Sequence, residues 1–327
     1  MSRSLSDIEP LFIMGFGRSG TTLLRRVLNS YDDVFIWGEH HGYLRHVAEG
    51  FYRVFNSTVA MADPRPWYEQ ELDPMQPSAH AQAWINPLDR DGWITAHRRY
   101  LDSIFFPPRL HDRRFVGFKD TQYFYDDVDR TVDFLSLLFP NARFAFIVRH
   151  GLNSLASWYA SDEELRRLSA CARVSSRWAS QTQRLAAIHE SRLVDSYWIT
   201  YEDLLRGEGG VRALLAGMDR ELGDAQRAVL AAPAGASSSF TGGEPSAFNE
   251  RWRTLPYAWK ALAAVRMRKT LLRVGYPTLD GVVVRSVGHA LSLLARLRTA
   301  LRLARRRIRL GTAVSALTRR IGTEPSA

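Results

Sequence analysis

Along this chain, short apolar runs alternate with longer stretches whose apolar residues recur every three or four positions. That rhythm predicts strands separated by helices. LFIMG (11–15) reads as a buried strand, VFIW (34–37) and RFVGF (114–118) as further strands, and ARFAFIV (142–148) is the most strand-like segment present. LVDSYWIT (193–200) supplies a fifth. Between them the pattern predicts helices over about 21–29, 41–56, 127–138, from near Asn153, over 163–190 and over 256–273. In 41–56, Leu44, Val47, Ala48 and Phe51 share one side. The 127–138 helix stops before Pro140.

Strands that alternate with helices imply an α/β fold: a P-loop-like parallel sheet flanked by helices on both faces. Ligands in such folds bind beyond the carboxyl ends of the strands. Residues 15–22, 37–41 and 149–157 all begin where a predicted strand ends. Two segments break the rhythm. Residues 57–93, rich in proline and tryptophan, have no clear period and are expected to be irregular, and 57–113 as a whole is expected to be an acceptor-side insertion. Trp67, Trp84 and Trp93 could stack there on a sugar or aromatic ring, or simply pack. The Gly/Ser-rich stretch 232–246 reads as a mobile loop.

Composition changes this picture little. A hydrophobic content of 46% with nine tryptophans suits a globular core. The single cysteine, Cys171, excludes an internal disulfide and fits a reducing compartment. The first ten residues are polar and LFIM is too short for a signal or a membrane span, so a cytoplasmic location is expected.

Charge matters more. The net charge is +10, yet residues 285–327 hold ten arginines against one acid, Glu324. The rest is nearly neutral, which argues against nucleic acid as a partner. The chain divides into an α/β domain, 1–280, and a basic tail, 281–327. Within the tail, 289–311 is a candidate amphipathic helix with Leu294, Leu297, Leu301, Ala304 and Ile308 in one stripe. A helix packed on the domain, a peripheral contact with an anionic membrane surface, or a partner helix would each suit it.

The chemistry begins at GFGRSGTTLL, 15–24. Gly15, Gly20 and Thr22 keep the spacing of a Walker loop, but Thr21 stands where the lysine belongs and Arg18 puts a charge inside the loop. Strand, glycine turn and helix together aim backbone N–H groups at an anion, with hydroxyls from Ser19, Thr21 and Thr22 at hand. No clear Walker-B aspartate accompanies it, which argues against triphosphate hydrolysis.

GFGRSGTTLLRRVLNSYDDVFIWGEHH (15–41) resembles the 5′-phosphosulfate loop of sulfotransferases that use 3′-phosphoadenosine 5′-phosphosulfate (PAPS). Its RSGTT form is similar to that of tyrosylprotein sulfotransferases and bacterial members. The resemblance implies that Gly17, Arg18, Ser19, Gly20, Thr21 and Thr22 hold the 5′-phosphate, with no metal required. In FAFIVRHGLNSLASWY, Arg149 and Ser157 match the spacing of the family's 3′-phosphate site. YEDLL (201–205) resembles the element whose tyrosine, here Tyr201, lies by the adenine. FNERWRTL (248–255) resembles a late basic-aromatic segment, which makes Arg251 and Arg253 nucleotide ligands.

The resemblance also suggests a base. GEHH places Glu39 where related enzymes use a glutamate, with His40 as the alternative because its unperturbed pKa lies nearer neutrality, and His41 as a packing residue. In VGFKDT, Lys119 would neutralise the sulfuryl oxygens or form a salt bridge with an acid at the sheet edge. Arg18 would stabilise the leaving phosphate. The acceptor would be a hydroxyl on a small molecule, glycan, lipid-linked molecule or peptide. Two other functions stay open from sequence: a P-loop nucleotide kinase, and a non-catalytic nucleotide-binding module for a membrane or partner.

Overall fold

A computed structural model of the protein describes residues 8–58, 60–61, 88–122, 127–161, 163, 166–232 and 252–278. The basic tail, the 232–246 loop beyond Ala232, Trp67, Trp84 and Arg251 lie outside these residues.

Five strands, β1 (Glu9–Gly15), β2 (Val34–Trp37), β3 (Phe115–Asp120), β4 (Arg143–Val148) and β5 (Asp195–Thr200), form one sheet in the order β2-β3-β1-β4-β5. All four pairings are parallel. The helices are α1 (Thr21–Leu28), α2 (Tyr43–Phe55), α3 (Arg90–Phe105), α4 (Asp127–Leu138), α5 (Gly151–Ser161) and α6 (Leu168–Ser191). After β5 come α7 (Tyr201–Arg206), α8 (Gly209–Gly217), α9 (Asp224–Ala231) and α10 (Tyr257–Arg273).

Side-chain alternation along the strands builds two cores. Phe12, Met14, Val116, Phe118, Phe144 and Phe146 face α2, α3 and α4. Leu11, Ile13, Phe115, Ala145 and Ile147 face α1, α7 and α8 on the other side. Both faces are covered, as expected from sequence. A third cluster lies beyond the carboxyl end of β4, where Val148 and Phe16 meet α5, α6 and α10 around Trp178 and Trp259.

The chain runs from the central β1 outward to β2, returns to β3 beside β1, then crosses to β4 on the other flank. That reversal opens a crevice at the carboxyl end of β1. Register aligns the strand ends there, with Met14 beside Asp120 and Gly15 beside Ile147. The functional stretches therefore converge because their strands end at one level.

Three local expectations need correction, and two helices lie where none was expected. Residues 90–93 are helical, not irregular: Asp89 accepts the Gly92 N–H and caps α3, whose inner residues Leu101 and Phe105 are buried. Helices α8 and α9 carry no sequence expectation at all. The long helix begins at Leu168, not 163. Helix α5 begins at Gly151, two residues before the expected start near Asn153, and Ser157 lies in its second turn.

Phe12 is fully buried at the centre of the sheet, with ring centroids 4.6 Å from Phe118, 5.5 Å from Phe144 and 6.1 Å from Phe139. Phe12→Ala is expected to cost about 3–5 kcal/mol, the usual toll for deleting a core phenylalanine. A urea titration would report it as a lowered midpoint at unchanged slope.

Candidate functional site

The turn from β1 into α1 is shaped by close packing. A Cβ on Gly15 would lie 2.4 Å from the Ile147 carbonyl oxygen, and one on Gly20 would lie 2.4 Å from Cδ2 of Tyr201. Gly20 also has φ +100°, so no other residue fits it without strain. Arg18 adopts φ 70°, a left-handed conformation that costs a non-glycine residue roughly 1–2 kcal/mol. Strain of this kind persists only where surrounding contacts impose it.

The first helical hydrogen bond of α1 runs from Leu24 N–H to Gly20 C=O, 3.0 Å. The amides of Thr21, Thr22 and Leu23 therefore lie at the open helix end, where the dipole favours an anion. Ser19 is fully buried, and its Oγ has no hydrogen-bond partner among the described residues. A buried hydroxyl without a partner costs free energy unless something arrives to meet it. Burial depresses the Arg18 guanidinium, while the Glu39 charge opposes that shift.

Arg149 closes β4, is 3% exposed, and lies with its guanidinium carbon 4.4 Å from the Tyr201 ring centroid. Tyr201 thus touches both expected phosphate sites, packing on Gly20 and under Arg149. Thr200 supports it by capping α7, its hydroxyl accepting the Asp203 N–H at 3.0 Å. Next to Arg149, His150 accepts the Leu152 N–H on Nδ1 and donates from Nε2 to Pro277 O, both at 3.3 Å. Burial lowers its pKa, the direction that suits an Nδ1 accepting an N–H at the start of α5.

Two side chains on α5 were missed by sequence reasoning. Asn153 and Ser154 stand four and three residues before Ser157, on the same helix face. Asn153 Oδ1 and Ser154 Oγ are buried without a hydrogen-bond partner among the described residues. A polar N-S pair at the start of a helix was the available signal. Arg253, by contrast, is exposed on the turn leading to α10, its guanidinium carbon 6.0 Å from the Trp252 ring centroid.

On the other side of β1, Lys119 donates to Glu39 Oε1. Burial works to raise the Glu39 carboxyl. The Lys119 hydrogen bond and charge, with side-chain bonds from Thr121 and Gln122, outweigh it and hold the carboxyl below its ordinary value. His40 turns away from this pair. Its ring lies edge-on to Phe118 at 5.0 Å, Phe105 at 5.7 Å and Tyr43 at 6.4 Å. Its Nε2 is 3.2 Å from Asp120 Oδ2, close enough for attraction but off the line of a hydrogen bond. Burial lowers the His40 pKa and raises that of Asp120. Asp120 Oδ1 accepts the N–H groups of Thr121 at 2.6 Å and Gln122 at 3.0 Å. His41 takes φ 55° and carries the chain into α2.

Among the described residues, no three His, Cys, Asp or Glu side chains gather as metal ligands, and no helix is long and apolar enough to cross a membrane. The glycine turn with Arg18, the Arg149–Tyr201 contact and the lysine-held glutamate thus all lie at the carboxyl ends of neighbouring strands. The description "Sulfotransferase family" matches residues 10–224, which spans all three.

The chain belongs to the sulfotransferase family. It is therefore a transferase, and sulfuryl transfer is the chemistry its family supports. No curated protein matches it by sequence. Among solved structures it is similar to the sulfotransferase domain of the Synechococcus PCC 7002 olefin synthase, with TM-score 0.48 and 18% identity over 81% of this chain and 97% of that one. A sulfotransferase from Mycobacterium tuberculosis H37Rv gives TM-score 0.37 and 16% identity over 76% and 77%. One from Alicyclobacillus acidocaldarius gives 0.36 and 16% over 84% and 98%.

The Glu39–Lys119 pair makes a prediction for this sulfotransferase. The folded carboxyl lies below its ordinary value of 4.5, so the pair's contribution to stability is complete above that pH and is lost as pH falls through the lowered value. In Lys119→Met the largest opposing contribution to burial is gone. Glu39 should then titrate at higher pH than in the wild type, and this contribution should begin to fail at higher pH. Carboxyl NMR titration of both proteins checks it; an unmoved Glu39 would mean Lys119 does not set its charge.

Proposed function

We propose that the enzyme transfers the sulfuryl group of PAPS to an acceptor hydroxyl. What carries this reading is Tyr201, packed on Gly20 and lying under Arg149. It ties the glycine loop to the second basic site, the arrangement a ligand with two separated phosphates requires. The unpartnered Ser19 Oγ and the polar α5 face add donors where such a ligand needs them.

Gly17, Arg18, Ser19, Gly20, Thr21 and Thr22 would hold the 5′-phosphate that bears the sulfuryl group. Arg149 and Ser157, with Asn153 and Ser154 on the same helix face, would hold the 3′-phosphate, the arginine fork suiting bidentate contact. Tyr201 would border the nucleotide. Arg253 and Arg251 rest on the family resemblance alone. When bound, PAPS supplies an activated sulfuryl group with a phosphate leaving group.

The chain's own residues do the rest. Glu39 is the base. A carboxylate so well held is a weak one, so it takes the acceptor proton as transfer proceeds and not beforehand. Lys119 steadies Glu39 and offers positive charge to the sulfuryl oxygens, and Arg18 offers it to the leaving phosphate. His40 and Asp120 serve this base by holding both segments that flank it: His40 is its chain neighbour, and Asp120 fixes the turn carrying Thr121 and Gln122. A cytoplasmic setting and a membrane-facing role for 289–311 rest on sequence alone.

Calorimetry tests the donor. Adenosine 3′,5′-bisphosphate should bind without metal, and Arg18→Ala and Arg149→Ala should each weaken it by about 1.5–3 kcal/mol, roughly ten- to a hundredfold. Preference for ATP with Mg²⁺ would overturn the assignment. Glu39→Gln should keep this affinity while turnover with any accepted hydroxyl falls roughly 10²–10⁴-fold. Full activity in that variant would remove Glu39 as the base.

A further inference from the structure

Trp158 follows Ser157 on α5, yet its side chain belongs to the glycine loop. The indole N–H donates to the Gly17 carbonyl at 3.2 Å. Its six-membered ring fills the space beside Gly17, where an added Cβ would lie 2.6 Å from Cζ2. The Arg18 guanidinium carbon is 5.3 Å from the ring centroid, within cation–π range. Phe16 meets the same ring edge-on at 6.5 Å. Three consecutive loop residues, Phe16, Gly17 and Arg18, therefore rest on one indole.

The hydrogen bond has a geometric consequence. In a trans peptide the C=O and the following N–H point in opposite directions. With the Gly17 carbonyl held toward the indole, the Arg18 N–H is turned away from it. Arg18 then keeps its left-handed φ of 70° because the preceding peptide cannot rotate freely. The indole also anchors the guanidinium from α5, the helix that carries Ser157.

We propose that Trp158 is a positioning residue that sets the loop in its anion-holding conformation and couples it to the α5 half of the site. The identity of the anion rests on the function proposed above; the coupling rests on contacts within the protein.

Two measurements on wild type, Trp158→Phe, Arg18→Ala and the double variant test it. Phenylalanine keeps a ring and loses the N–H, so the fold is retained. Amide hydrogen exchange on ligand-free protein is read first. Peptides covering 15–23 should exchange several-fold faster in Trp158→Phe, with the central strands unchanged; equal loop protection would overturn the proposal whatever the ligand is.

Calorimetry with adenosine 3′,5′-bisphosphate and with adenosine 5′-phosphate is read second. Trp158→Phe should weaken both by about the same factor, near tenfold, because the loss lies in the loop they share. In the Arg18→Ala background the same change should add less than about twofold, since residues acting through one another are not additive. A loss confined to the bisphosphate, or full additivity, would overturn the coupling through Arg18. Wild-type protein that binds neither nucleotide would remove the PAPS assignment, while the exchange result still decides the role of Trp158.

Discussion

Close approach of backbone to side chain at the β1–α1 turn governs this site. Gly15 passes against the Ile147 carbonyl and Gly20 against the Tyr201 ring, with no room for a Cβ at either position. That closeness draws the carboxyl ends of β1, β4 and β5 to a single point. It also leaves the amides at the start of α1 at the open helix end, and the Ser19 hydroxyl buried without a hydrogen-bond partner among the described residues. An anion would supply what these groups lack, because under the proposed function its charge meets donors already fixed in place and needs little reorganisation of the protein.

The second half of the crevice is an arrangement of charge around β3. Lys119 and Asp120 are neighbours on one strand, so their side chains leave on opposite faces. One face sends an ammonium to Glu39, and the other sends a carboxylate to His40. Glu39 and His40 are themselves adjacent in the chain. Two consecutive residues after β2 are thus pinned by two consecutive residues at the end of β3, and the sheet register holds the four together. Glu39 keeps partial access to the crevice, with a third of its side chain exposed, while Asp120 has none. Under the proposed function, that difference in access would separate the base from the group that supports it.

Much of the architecture was legible from sequence because strands buried on both faces leave near-continuous apolar runs. The central β1, β3 and β4 were visible for that reason, while the edge strands β2 and β5, only partly buried, showed as shorter apolar or aromatic runs. The glycine loop was legible too, since R-S-G-T-T after such a run has few uses other than turning tightly around an anion. Helix α3 was hidden by its outward face: Tyr100 and Ile104 are exposed, which blurs the period that Leu101 and Phe105 would otherwise set. Asn153 and Ser154 were hidden differently. Polar residues near a helix start are ordinary, and only their burial without partners gives them meaning.

The sequence alone determined the parallel α/β layering, the glycine turn with its arginine, the second arginine at the end of β4 and the glutamate–histidine pair after β2, because each is a local matter of residue type and spacing. Tertiary structure decided which side chain meets which. It sent His40 into an aromatic box and left Glu39 with Lys119, a choice made by sheet register and the packing of α3. It also put Trp158 under a loop 141 residues away in the chain. Contacts of that range follow from how strands and helices stack, and no local pattern of residues encodes them.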